Sequence, residues 1–157
     1  PAEPPHPPTA MKTIVALVDF SDATFKVLKV VHQMASAFGS QVTLLHVVPP
    51  QPVVMDLGIA SPTVLETASP EAVEAEQAKL RELQESLSKF GIAAGTQQLT
   101  DGTPDAVMEE IRKLGAELVI MGSHRHGVLY ELFVGSVTHD VITRMTCPVL
   151  LVPVDEA

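Results

Sequence analysis

Residues 117–127 read Glu-Leu-Val-Ile-Met-Gly-Ser-His-Arg-His-Gly, and residues 134–140 read Val-Gly-Ser-Val-Thr-His-Asp. The first stretch is an apolar run that ends at a glycine, which is typical of a buried strand followed by a sharp turn. In the second stretch Gly135 and Ser136 precede a helical pattern, so the free N–H groups of that helix's first turn should face the same space. The helix dipole and the hydroxyls of Ser136 and Thr138 would make this space suitable for an anion. The alternative interpretation is a Ser-capped helix with no ligand.

Strand-like and helix-like patterns alternate along the whole chain, which is typical of a parallel sheet with helices on both faces. We therefore predict a single-domain α/β fold with an open parallel five-stranded sheet in the spatial order 3-2-1-4-5. The third strand is weak and polar, so we expect it at an edge of the sheet. The inward faces of the first two helices are expected to include Phe38 and Phe90, respectively. The predicted strands are residues 12–18, 42–48, 95–99, 117–121 and 148–153, and the predicted helices begin near residues 21, 70, 103 and 136.

The predicted strand order places a crevice between the carboxyl ends of the first and fourth strands, where ligands bind in sheets of this kind. Asp19 follows the first strand, Gly122 follows the apolar run of the fourth and Gly135 opens the last helix, so three distant segments converge there. Asp19 is either a carboxylate that caps the next helix or an acceptor for ribose hydroxyls or an adenine amine, and its position favours neither interpretation. Gly102 also follows a strand, so a ligand could rest against it.

The motif Gly122-x2-Arg125-x9-Gly135-Ser136 resembles the Gly-x2-Gly-x9-Gly-(Ser/Thr) signature of the universal stress protein family. The resemblance covers residues 11–154 and includes the opening Val18-Asp19-Phe20-Ser21 and the closing segment 147–153. It implies a Rossmann-like fold of the adenine nucleotide alpha hydrolase-like type. Arg125 departs from the signature, because it stands where the family has the middle glycine.

The resemblance also implies an adenine nucleotide, ATP, ADP or AMP, as the ligand. If a metal ion is involved, Mg²⁺ that arrives with ATP is the expected one. In nucleotide-binding members of the family, the positions that match Asp19 and Val47 hold the adenosine, the latter through its backbone. The positions that line the ribose and phosphates, or lie beside them, correspond to Met121, Gly122, Ser123, His124, Arg125, Gly135, Ser136, Val137 and Thr138. Further candidates are Leu17, Val18, Gly102, His126 and Gly127.

Three functions follow from the resemblance and from Arg125. The first is a dimeric regulatory module of the stress response that binds an adenine nucleotide and reports it to a protein partner. The second is a partner-binding dimer that has lost the nucleotide site because Arg125 fills the phosphate space. In the first function, by contrast, the Arg125 guanidinium pairs with a phosphate. The third is a slow ATPase, for which no general base stands out beyond Asp19 or His124 and no catalytic residue is assigned. The family pairs subunits through the last strand, so residues 149–152 are expected to form a homodimer interface.

Length, charge and cysteine content limit the kinds of partner and the cellular location that we expect for this chain. A length of 157 residues suits one domain with a buried core. The formal charge of −9 disfavours nucleic acid as a partner, because phosphate neutralisation needs clustered cations. No apolar run approaches the roughly 18 residues that a membrane span needs. The single cysteine, Cys147, excludes an internal disulfide and fits a reducing cytoplasm, and its place beside a strand predicts a packed thiol.

Three segments lack a strand or helix pattern. Residues 1–10 contain five prolines and are expected to be a disordered tail or an addition from cloning. Residues 49–69 are longer than an ordinary connection and are expected to form a long flexible loop. Residues 155–157 are a short tail after the domain at 11–154.

Three histidines, His124, His126 and His139, lie in the segments that should approach the crevice. Histidines at alternate positions can chelate a metal ion. No carboxylate or thiolate ligand set of recognised spacing accompanies them, so no dedicated metal site is predicted.

Overall fold

The structure is a computed structural model, and it describes residues 11–54, 58, 63–123 and 144–153. Its strands are β1 (Thr13–Leu17), β2 (Gln41–Val47), β3 (Gln51–Val54), β4 (Thr63–Glu66), β5 (Ala94–Leu99), β6 (Leu118–Gly122) and β7 (Val149–Val152), and its helices are α1 (Ala23–Phe38), α2 (Pro70–Lys89) and α3 (Pro104–Lys113). Five of the strands form a parallel sheet in the order β5-β2-β1-β6-β7. Counted within this sheet alone, the order is the predicted 3-2-1-4-5. The polar strand β5 lies at one edge, as expected.

The structure also contains two short strands, β3 and β4, that the sequence patterns did not predict. β3 and β4 pair antiparallel, with Gln51 opposite Glu66 and Val54 opposite Thr63. Both strands fall inside the segment 49–69, for which no regular element was predicted. Each strand has four residues, and a proline interrupts the first, so neither shows an alternation long enough to indicate a strand.

The central strand β1 separates two hydrophobic cores. Ile14, Ala16 and Val18 point to one face of the sheet and pack with apolar residues of α1 and α2. Val15 and Leu17 point to the other face and pack with residues of α3. Because successive side chains of a strand point to opposite faces, a strand between two helical layers must be apolar at every position. This is why the first strand reads as a continuous apolar run.

The helix boundaries follow local capping chemistry. The Oγ of Ser69 accepts a hydrogen bond from the backbone N–H of Ala72 at 3.2 Å, and Pro70 occupies the first turn of α2. The hydroxyl of Thr103 caps α3 in the same way. α1 ends at Gly39, whose φ of 67° lies in the left-handed region that terminates helices.

Two aromatic residues that were predicted to face the core do not. Phe38 is 36% exposed, and Ala35 completes the buried face of α1 instead. Phe90 is 70% exposed, because it is the capping residue beyond the last turn of α2, where the chain leaves the helix. Its ring packs edge-on against His32, with the ring centroids 5.2 Å apart. The helical spacing was correct in both cases, but each aromatic ring lies at a helix end, where the sheet no longer covers it.

Candidate functional site

The carboxyl ends of the parallel strands bring the predicted residues to one edge of the sheet. Leu17 of β1 lies opposite Leu45 of β2, and Ala16 of β1 lies opposite Ile120 of β6. The three neighbouring strands therefore end at a common level. This places Asp19 between the ends of β2 and β6, at the point where the strand order reverses and where open α/β sheets bind ligands.

The strand ends at this point of the sheet are apolar and buried. Four predicted site residues at the strand ends have almost no exposed surface: Leu17, Val18, Val47 and Met121. Side chains in this position shape the floor of a site and leave the polar contacts to backbone groups and to residues beyond the strand ends. Asp19 is half-buried and Ser123 is exposed, so these are the predicted polar side chains that the described structure places at the mouth of the crevice.

The carboxylate of Asp19 is held by the beginning of α1. Its Oδ1 accepts hydrogen bonds from the backbone N–H of Ser21 at 3.0 Å and from the Ser21 hydroxyl at 2.6 Å, and the Thr24 hydroxyl lies 3.5 Å away. The Oγ of Ser21 in turn accepts from the N–H of Ala23 at 3.2 Å. Asp19 therefore holds the turn before α1 and does not cap the helix itself, because the N-cap residue is Asp22, which makes no side-chain cap hydrogen bond. This arrangement is compatible with a ligand role, because a carboxylate held in one orientation needs no ordering when a ligand arrives.

The backbone next to Asp19 has an unusual conformation. Phe20 has a φ of 60° and is the one non-glycine residue of the described chain with a positive φ. A bulky residue in this region costs about 1–3 kcal/mol, so its surroundings must hold it there. The Phe20 ring packs on the imidazole of His46, with centroids 4.3 Å apart, and Lys79 Nζ lies 5.5 Å from the ring centroid.

His46 was not among the predicted site residues. It is 3% exposed, its Nδ1 lies 2.8 Å from the carbonyl oxygen of Val18, and its Nε2 lies 3.0 Å from Oε2 of Glu76. The signal that would have found it is a polar residue inside the apolar run 42–48. A buried polar group is almost always hydrogen-bonded, so its presence indicates a partner in a neighbouring element.

β6 ends on the other side of the crevice, beside the end of β1. Gly122 pairs with Val152 of β7, and the N–H of Ser123 donates to the carbonyl of Val152 at 3.0 Å. The chain therefore stays in sheet register up to Ser123. The remaining predicted residues lie outside the described residues and stay predictions: His124, Arg125, His126, Gly127, Gly135, Ser136, Val137, Thr138 and His139.

Gly102 lies at the same end of the sheet but farther from Asp19. It follows β5, and β2 separates β5 from β1. The preceding Asp101 accepts a hydrogen bond from the N–H of Thr103 at 2.9 Å. The backbone N–H and the hydroxyl of Thr103 lower the pKa of Asp101 below its ordinary value. Within the sheet, Gly102 is therefore placed at the rim of the crevice and not at its centre.

Cys147 lies away from the crevice, just before β7. It packs against the core on the α3 face, and burial raises the pKa of its thiol. A raised pKa disfavours the thiolate, which is the reactive form, so the thiol has the packing role that was predicted.

Residues 11–54, 58, 63–123 and 144–153 contain no group of three or more His, Cys, Asp or Glu side chains arranged to hold a metal ion. In the same ranges, no helix combines the length and the apolar character that crossing a bilayer requires.

The fold defines a class of protein: a doubly wound parallel α/β domain, in which ligands usually bind at the topological switch point. The model of the universal stress protein family matches residues 11–153. The chain therefore belongs to the universal stress protein family.

Individual relatives agree with this assignment. A universal stress protein of Methanocaldococcus jannaschii is 28% identical over 141 residues, which cover 90% of this chain and 81% of the relative. The solved structure of the universal stress protein from Archaeoglobus fulgidus in complex with dAMP has a TM-score of 0.61 and 22% identity, and covers 90% of this chain and 97% of that one. A universal stress protein in complex with cAMP has a TM-score of 0.62 and 18% identity, with coverage of 94% and 100%.

Proposed function

We propose that this protein binds an adenine nucleotide, ATP, ADP or AMP, in the crevice between the ends of β1 and β6. The observation that carries the proposal is the position of Asp19, which is held at the switch point of the sheet beside the beginning of the glycine signature at Gly122. Two proteins of the same fold, in complex with dAMP and with cAMP, support it.

In this proposal each part of the crevice binds a different part of the nucleotide. Asp19 accepts hydrogen bonds from ribose hydroxyls or the adenine amine, and the backbone of Val47 contacts the base. Gly122 allows the backbone to approach the ribose closely. The segment from Gly135 to Thr138 supplies N–H groups and hydroxyls for the phosphates, and Arg125 supplies a cation. Mg²⁺ would arrive with the nucleotide, because this acidic chain offers the phosphates few other cations.

We further propose that the protein is a cytoplasmic homodimer that acts as a regulatory module of the stress response and passes the nucleotide state to a protein partner. β7 is an edge strand of the described sheet, and Leu151 in it is 46% exposed. An apolar edge strand left uncovered invites pairing with another chain. Pairing with β7 of a second copy would cover both edges at once.

The first test is the release of nucleotide from freshly purified protein by denaturation, with identification by chromatography and mass spectrometry. Recovery of ATP, ADP or AMP near one equivalent per chain is the expected result. Calorimetric titration of the stripped, folded protein with ATP, ADP, AMP and cyclic AMP completes it. Flat titrations with all four would refute nucleotide binding.

Asp19→Asn tests the role of the carboxylate. The amide oxygen can still accept from Ser21, so the turn is preserved while the charge is lost. We expect the dissociation constant for the nucleotide to rise about tenfold or more, because hydrogen bonds to a charged group contribute about 1.5–3 kcal/mol. Asp101→Asn is the matched control, since Asp101 makes the same backbone contact at the sheet rim. Equal effects of the two substitutions would remove Asp19 from the site.

Arg125→Gly separates the proposed function from its alternatives. If the guanidinium pairs with a phosphate, the glycine variant binds ATP more weakly than the natural protein. If Arg125 blocks the phosphate space, the natural protein binds no nucleotide and the variant gains binding. ATP turnover that Ser136→Ala abolishes would instead support a slow ATPase.

A further inference from the structure

We infer that His46 is a positioning residue of the crevice: by holding the carbonyl of Val18, it fixes the turn that presents Asp19. The inference deepens the proposed function, on which it rests for the identity of the ligand. The holding of the turn is a separate property of the fold. It can therefore be tested without a ligand.

The partner of Nδ1 determines which ring nitrogen of His46 donates to the turn. A carbonyl oxygen only accepts hydrogen bonds, so the 2.8 Å contact with Val18 requires Nδ1 of His46 to carry a proton and donate it. The 3.0 Å contact between Nε2 and Oε2 of Glu76 then needs one more proton between these two atoms. This proton is shared between Nε2 and Glu76, whose other carboxylate oxygen lies 3.3 Å from Lys79 Nζ. His46 therefore links the end of β1 to α2 through both ring nitrogens.

The contacts of the imidazole cover the residues on both sides of Asp19. One ring nitrogen binds the carbonyl of Val18, and the ring packs against Phe20, so His46 contacts the residue before and the residue after the carboxylate. Phe20 has the positive φ that turns the chain out of the sheet. A conformation that costs energy persists only when its surroundings determine it. His46, on β2, holds Phe20 in this conformation through these contacts. Glu76, on α2, holds the His46 ring in place.

Core packing alone would not require a histidine at position 46. The neighbouring buried positions of β2 are apolar, and an apolar side chain of similar size would pack there without the desolvation of a charged or polar group. An apolar side chain would, however, leave the Val18 carbonyl without this donor. The residue type at position 46 is therefore explained by the turn that it holds.

The experiment compares His46→Asn with His46→Leu. The two new side chains have similar size and shape, and the amide nitrogen of Asn lies close to the position of Nδ1, so only the Asn variant keeps a donor for Val18. The first readout is hydrogen exchange of the Ser21 amide, which bonds to Asp19 in the present structure. The second is the calorimetric dissociation constant for the nucleotide that the natural protein binds. The Thr103 amide in the turn after β5 is the internal control.

We expect His46→Leu to speed exchange of the Ser21 amide about tenfold or more and to weaken nucleotide binding by a similar factor, because a buried acceptor loses its donor. We expect His46→Asn to stay within about threefold of the natural protein in both readouts, since the donor is kept. Exchange of the Thr103 amide should be the same in all three proteins. Unchanged Ser21 exchange in the Leu variant, or equal effects of Asn and Leu, would overturn the inference.

A second substitution covers the case in which His46→Leu does not fold. Glu76 is only partly buried, and Glu76→Leu removes the anchor of Nε2 while leaving the β2 core intact. It should speed Ser21 exchange in the same direction by a smaller factor, and no change would overturn the inference. If the natural protein binds no adenine nucleotide, the proposed function fails, whereas the exchange data still decide whether His46 holds the turn.

Discussion

The turn after β1 and the turn after β5 use the same local chemistry in different surroundings. In each, an aspartate accepts a hydrogen bond from the N–H two residues ahead, at 3.0 Å for Asp19 and 2.9 Å for Asp101. In each, a hydroxyl then accepts from an N–H at the beginning of the next helix, Ser21 from Ala23 and Thr103 from Ala106. Sequence patterns alone would treat the two turns as equivalent.

Their surroundings differ in three ways. The turn after β1 follows the central strand of the sheet, whereas the turn after β5 follows an edge strand. The residue after Asp19 is Phe20 with a positive φ, whereas the residue after Asp101 is a glycine that is not among the positive-φ glycines. His46 supports the first turn from behind. The same turn motif therefore becomes a candidate binding element where the sheet buries it and a second strand holds it.

The largest expected difference between the two turns is in stability. Leu17 and Leu99 each stand two residues before the aspartate, but Leu17 is 1% exposed and Leu99 is only partly buried. Leu17→Ala should lower the free energy of unfolding by about 2–5 kcal/mol, and Leu99→Ala by less than half as much, because the cost depends on the cavity left behind. Urea unfolding of both variants measures the difference. Equal losses would show that the edge strand is as well packed as the centre.

The second expected difference is in the preference for glycine over alanine. At position 20 the positive φ disfavours any side chain, so Phe20→Gly should be more stable than Phe20→Ala by about 1 kcal/mol. At position 102, Gly102→Ala should instead stabilise the protein by about 0.4–1 kcal/mol, because alanine restricts the unfolded chain. Thermal unfolding of the three variants tests the reversal of sign. The same sign at both positions would mean that the backbone difference between the turns does not affect stability.

The smallest expected effect is the pH dependence of the turn after β5. Hydrogen bonds from Thr103 lower the pKa of Asp101 from its ordinary value of 3.8. A group whose pKa is lower in the folded state stabilises the protein above its unfolded pKa, and this contribution is lost as the pH falls through the folded pKa. Asp101→Asn should therefore be slightly less stable than the natural protein at pH 7, and the difference should shrink at pH 3. A difference that grows on acidification would contradict this assignment.

The central sheet and its order were predictable because the inner strands β1, β2 and β6 are mostly apolar, strands alternate with helices, and Ser69 and Thr103 cap α2 and α3. The crevice was predictable as a place, since the strand order determines where the carboxyl ends converge. The exposed ends of α1 and α2 were not predicted, because helical spacing at Phe38 and Phe90 says nothing about where the sheet stops covering a helix. β3 and β4 were missed because four residues are too few to establish a period.

The class of fold, the helix boundaries and the residue types near the carboxyl edge can be predicted from sequence, because they depend largely on residues close together in the chain. The contacts of His46 are visible only in the folded structure. Its partners Val18 and Glu76 are 28 and 30 residues away in the chain, just after the neighbouring strand β1 and on the helix α2. Such a contact depends on strand register and helix packing together, and no local pattern encodes either of them.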